Sequence, residues 1–131
     1  MSQDPQKNME VIRHWFNTVN SNDLDQMIKE FAEIISDDYV MCDPATPDLQ
    51  PGAANYLKLF EQDMARSADR KITIGDMFAV DDKVVSRADY EYLDLASQER
   101  KKVAAMAISQ FEDGKIKAEW QILAPYATPS S

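Results

Sequence analysis

The chain has 131 residues, 44% of them hydrophobic and 28% charged, and a formal net charge of −9. That length fits one ordinary core and not two, and the balance is that of a folded protein rather than a disordered one. The acidity works against nucleic acid and anionic membrane surfaces as partners, and no run is apolar for long enough to span a bilayer.

The first eight residues, MSQDPQKN, are polar and read as a frayed leader without the apolar segment of a secretory signal. Met9, Ile12, Phe16 and Val19 then recur at helical spacing, with Trp15 beside them. Asn20, Ser21 and Asn22 break the pattern, and Ser21 or Asn22 can cap the next helix. Leu24, Met27, Ile28, Phe31 and Ile35 form a second stripe, with Asp23 and Asp25 where the helix dipole favours negative charge. A short strand is expected over Tyr39–Cys42, ended by Asp43-Pro44. After a proline-rich loop, Pro51 suits the first position of a third helix, whose buried face is Ala54, Leu57, Phe60 and Met64.

The second half reads as strands near 71–80, 84–95, 100–112 and 115–123. Asp81-Asp82-Lys83 is a turn, and Asp113-Gly114 is a hairpin signal because glycine accepts positive φ. In the last strand Ile116, Ala118, Trp120 and Ile122 are expected on one face, and Lys117, Glu119 and Gln121 on the other. Helices followed by long strands, without β–α alternation, predict an α+β domain. Its three helices pack on one face of a curved antiparallel sheet, forming a cone with a pocket at its open end. No linker divides the chain, so 1–131 is expected to be one domain with an ordered core of about 8–124.

Three segments together resemble the nuclear-transport-factor-2-like superfamily, which includes SnoaL-like polyketide cyclases and ketosteroid isomerases. They are NSNDLDQMIKEFAEIISDDYVMCDP (helix turn, helix, first strand), PGAANYLKLF (third helix) and FEDGKIKAEW (closing hairpin). The resemblance spans about Met9 to Leu123 and implies the cystatin-like cone and a homodimer. It also implies a cofactor-free proton-transfer enzyme of isomerase, cyclase or dehydratase type. Asp43 matches the strand end where such isomerases place a general base, while an Asp before Pro is also an ordinary turn. Their oxyanion donors do not carry over. Trp15 stands where the tyrosine is expected, with one indole N–H to give, and Ala107 stands where the carboxylic acid is expected. The carboxylate that cyclases carry near the end of the last strand is replaced by Ala124, and Gln121 follows Trp120.

Asp43 and Trp15 are therefore the catalytic candidates, with Tyr56 or Tyr92 as polar helpers. Tyr39, Met41, Tyr56, Phe60, Met64, Phe78, Tyr90, Tyr92 and Trp120 are candidate pocket walls, although aromatic and methionine residues also serve any core. The ligand expected is a small apolar carbonyl-type molecule. A non-catalytic binding domain, or a protein-interaction module using the outer sheet face, is the alternative. One histidine, His14, and one cysteine, Cys42, make no metal set, and three glycines make no phosphate loop, so neither metal nor cofactor is expected. The lone cysteine favours a reducing cytoplasm. Val103, Ala105 and Ala107 on one side of a strand, and Ala104, Met106 and Ile108 on the other, predict burial on both faces. The helices cover one; a second copy of the chain would cover the other.

Overall fold

The computed structural model describes residues 4–45 and 47–126. The elements run α1 (Pro5–Ser21), α2 (Leu24–Ile34), β1 (Ile35–Cys42), α3 (Ala53–Ala65), β2 (Ser67–Val80), β3 (Lys83–Asp94), β4 (Glu99–Glu112) and β5 (Lys115–Pro125). The expected order holds, with several boundaries moved by caps. Residues 4–8 belong to α1 rather than to a leader. Asp4 accepts hydrogen bonds from the Gln6 and Lys7 N–H groups, and Pro5 occupies the first turn, where its missing donor is harmless. Asp23, not Ser21 or Asn22, caps α2 by accepting from the Gln26 N–H. Pro51 precedes α3, whose N-cap is Gly52 at φ 112, with its N–H donated to the Tyr39 carbonyl. Only glycine adopts that φ without strain.

The strands form one sheet in the order β1-β5-β4-β3-β2. Four pair antiparallel, but β1 runs parallel to β5, so the sheet is mixed rather than antiparallel throughout. The Asp113-Gly114 turn has positive φ at both residues, matching the right-handed twist of the hairpin. The three helices lie against one face of this α+β cone.

Asn20 and Asn22 close the outer edge of β2. The Asn22 side-chain amide exchanges two hydrogen bonds with the Arg70 backbone, at 2.7 and 3.1 Å, and Asn20 does the same with Ile72, at 2.6 and 3.1 Å. The pair stands in for a neighbouring strand and satisfies groups that an open edge would leave unpaired. Asn22 does this from the left-handed conformation, at φ 59.

Two of the four register shifts in the sheet decide which way Phe78, Glu119 and Trp120 face. In β2 the register shifts at Gly75, where the Arg87 guanidinium lies where a Cβ would be. In β5 Phe111 pairs with Ile116 but Gln110 pairs with Ala118, leaving Lys117 as an extra residue. Such a residue reverses the inside–outside alternation beyond it. Ile116 is in the core, yet Glu119, Gln121 and Leu123 also face inward, while Trp120 and Ile122 face out. The uniform alternation expected for the last strand fails at this one residue.

The closed end of the cone is packed by Ile12, Phe31, Ile35, Tyr39, Phe60, Val84, Phe111 and Ile116. Phe31 stacks on Phe60 at 4.5 Å, and Trp15, Tyr39 and Tyr56 surround it at 5.0, 6.0 and 5.6 Å. Each such aromatic pair contributes about 0.5–1.5 kcal/mol beyond its buried area.

Candidate functional site

Between the helices and the sheet lies a cavity of about 420 Å³. Its helical wall is Trp15, Phe16, Tyr56, Phe60 and Met64, and Met41 closes it at β1. Its floor is the inner face of the sheet: Ser86 and Ala88 of β3, Ala105 and Ala107 of β4, and Gln121 and Leu123 of β5. Small side chains in the middle of the floor are what leave the space open, since a core packed at ordinary density has no void of this size.

One carboxylate stands at the deep end. Glu119 lines the cavity, and its two oxygens accept hydrogen bonds of 2.7 Å from the Tyr39 and Ser109 hydroxyls. Its side chain is partly buried. Burial pushes its pKa up from the ordinary 4.5; the two hydroxyls pull against that without overcoming it. Tyr39 has no accessible surface, and burial, with the neighbouring Glu119 charge, raises its phenol well above the usual range. It therefore stays protonated and acts as a fixed donor. Tyr56, edge-on to Tyr39 at 5.1 Å, is raised for the same two reasons in the same order. Two facts hid Glu119 from the sequence: the Lys117 bulge that turns it inward, and partners lying 80 and 10 residues away.

Tyr56, Phe60, Met64, Tyr90, Tyr92, Met41 and Trp15, all singled out in the sequence, do line the cavity. Tyr39 backs its deep end through Glu119. Trp15 serves as wall, 5.0 Å from Phe31 and 5.7 Å from Phe60. Phe78 and Trp120 do not join them. Trp120 was turned outward by the β5 bulge, Phe78 by the one at Gly75, and both are exposed on the far face of the sheet. Asp43 is half-buried at the rim, behind the lining. Its Oδ1 accepts the Ala45 N–H at 2.8 Å in a turn, and Gln121 Nε2, from the cavity lining, reaches its Oδ2 at 3.4 Å. Ala107 is on the floor and adds no polar group, and Ala124 is exposed.

Away from the cavity, His14 is an exposed side chain on α1 whose Nδ1 lies 2.9 Å from the buried Glu30 of α2, which also accepts from the Thr18 hydroxyl. Among the described residues, no cluster of His, Cys, Asp or Glu could hold a metal ion, and no helix is long and apolar enough to cross a membrane.

The fold of this chain is shared with known proteins. The SnoaL-like domain model matches residues 12–119, and the chain belongs to that family. Solved structures with the same fold include a proposed polyketide cyclase from Acidithiobacillus ferrooxidans (TM-score 0.75, 20% identity, 89% of this chain and 87% of that one). IdmH of Streptomyces antibioticus, also a proposed polyketide cyclase, superposes with a TM-score of 0.71 at 21% identity, over 88% and 91% of the two chains. A proposed ketosteroid isomerase from Kribbella flavida covers 98% of this chain and 85% of its own, at 18% identity and a TM-score of 0.69. Identities this low establish the fold and leave the reaction open. No curated protein matches the sequence.

Proposed function

We propose that this SnoaL-like domain binds a small, largely apolar carbonyl compound in its cavity and moves a proton there without a cofactor. Glu119 is the acid–base group. The observation that carries this reading is a carboxylate with a raised pKa, held by Tyr39 and Ser109 at the deep end of the cavity. A carboxylic acid whose pKa is raised by burial can protonate a ligand oxygen. Once ionised, it can take a proton from the carbon beside a carbonyl. Tyr39 orients it, Trp15 shapes the wall, and Asp43 acts from the rim through Gln121.

The test uses 4-acetylbiphenyl as probe. Exchange of its methyl protons in deuterated buffer is followed by NMR, and its binding by calorimetry. Glu119→Gln is expected to retain binding and slow exchange by about a hundredfold or more. If the wild type exchanges no faster than buffer, the proton-transfer reading fails. Binding alone would then favour the second reading, a non-catalytic ligand-binding domain, which the side chain of Ala107 on the floor supports.

The proposal includes a homodimer through the outer sheet face. Phe78, Val85, Ile108 and Trp120 are direct neighbours across four strands, and Met106 and Ile122 form the next row, both more than half exposed. An apolar patch so continuous is unusual on a monomer surface. The single free cysteine, Cys42, fits a reducing compartment such as the cytoplasm.

A further inference from the structure

Arg70, at the start of β2, is 6% exposed and lacks what a buried cation normally has. None of the ion pairs among the described residues includes it. Its Nη2 donates to the backbone carbonyls of Met64 and Ser67, and its buried Nε has no partner. A guanidinium withdrawn from water with neither a carboxylate nor a full set of acceptors is costly, and a fold keeps one where something else supplies the charge.

The neighbourhood of Arg70 shows where that charge would come from. Tyr90 lines the cavity, as do Ser67 and Tyr92. Arg70 is not itself part of the lining, but its bonds to the carbonyls of Met64 and Ser67, both lining residues, put the guanidinium directly behind this part of the wall, and its charge pulls against the burial that raises the Tyr90 phenol. Tyr92 stacks on Tyr90 at 5.2 Å and continues the wall outward. The other charges at this end are Asp63, Arg66, Asp94 and Lys101. Asp63 has Arg66 at 3.9 Å and Asp94 has Lys101 at 3.7 Å, so both rim carboxylates already have a cation and Arg70 has no anion. Tyr90 stands six residues along β3 from Val84, the partner of Ser109, so about 20 Å of strand separates this end from the Glu119 level.

We infer that the outer end of the cavity is an anion subsite in which Arg70, from behind Tyr90 and Ser67, receives the carboxylate of an apolar ligand. The ligand is thus an apolar keto acid rather than a neutral ketone. This rests on the cavity being the ligand site, as proposed above, and names what the ligand carries at its far end.

The test compares 4-acetylbiphenyl with 4′-acetylbiphenyl-4-carboxylate by calorimetry at neutral pH. The acid is expected to bind the wild type about tenfold more tightly or better, and the advantage to shrink as salt is raised. Arg70→Met is expected to abolish the advantage and leave the neutral ketone's affinity unchanged. Because Arg70 also ties α3 to β2, Tyr90→Phe serves as the second variant and is expected to cut the acid's advantage over the ketone by roughly threefold to tenfold. Equal binding of the two probes to the wild type overturns the subsite and leaves the cavity reading standing. So does an advantage that survives in both variants. Failure of both probes to bind overturns the cavity reading and this inference together.

Discussion

The two faces of the sheet have nearly the same composition along β4 and opposite surroundings. Val103, Ala105 and Ala107 look into the cavity; Met106 and Ile108 look outward and are exposed. Inside, helices stand over the sheet but do not fill the space above the alanines, and the void has one carboxylate at its deep end. Outside, larger apolar residues stand in rows with nothing above them. An apolar strand face therefore says that something covers it and not what. Here the proposed occupants are a ligand on one face and a second copy of the chain on the other.

Adjacent residues of β4 can break that comparison separately. The largest effect is expected from Met106→Glu, which puts a charge in the centre of the outer patch. A burial site for an unpaired carboxylate costs several kcal/mol, so dimer affinity should fall by about a hundredfold or more in sedimentation analysis. The monomer should stay folded, because Met106 is already more than half exposed. A chain that sediments as a monomer before mutation removes the dimer from the proposal.

Ala105→Trp acts on the other face and should have the next largest effect. The indole would fill the space above the floor and lower affinity for 4-acetylbiphenyl by about tenfold or more, while leaving the dimer intact. An unchanged affinity would place the ligand elsewhere.

Most of the fold was legible because its signals are local. Helical spacing located α1, α2 and α3, and Asp113-Gly114 located the last hairpin. The faces of β2 and β5 were not legible. Gly75 and Lys117 each add one residue to a strand; a glycine inside a strand is a bulge signal that reading 71–80 as a plain strand passes over, and nothing at Lys117 announces the other. The consequence fell on the site. Trp120 and Phe78 were assigned to the cavity and lie outside, while Glu119 was assigned to the far face and lies within. The aromatic wall survived because it comes mainly from helices, where the 3.6-residue period had no interruption. Nothing local marks Arg70 as buried, since its burial by the α3–β2 turn is a tertiary fact.

The smallest effect expected concerns the charge that separates the two faces. Glu119 holds its proton more tightly in the folded chain than in the unfolded one, because burial raises its pKa above 4.5. Between the unfolded and folded values the native state binds more protons, so stability falls as pH rises through that window and levels off above the folded pKa. Asp63, raised mainly by burial, adds the same sign; Asp82 and Asp94, lowered chiefly by side-chain hydrogen bonds from Gln110 and Ser97, add the opposite. The wild type minus Glu119→Gln difference isolates the one group. Urea unfolding at a series of pH values from about 4 to 8 should show wild-type stability declining relative to the glutamine variant, by roughly 1.4 kcal/mol for each unit that the pKa is raised. A constant difference across the series would mean that Glu119 ionises in the cavity as freely as in water. The group would then be an ordinary carboxylate, and the proton chemistry assigned to the inner face would lose its source.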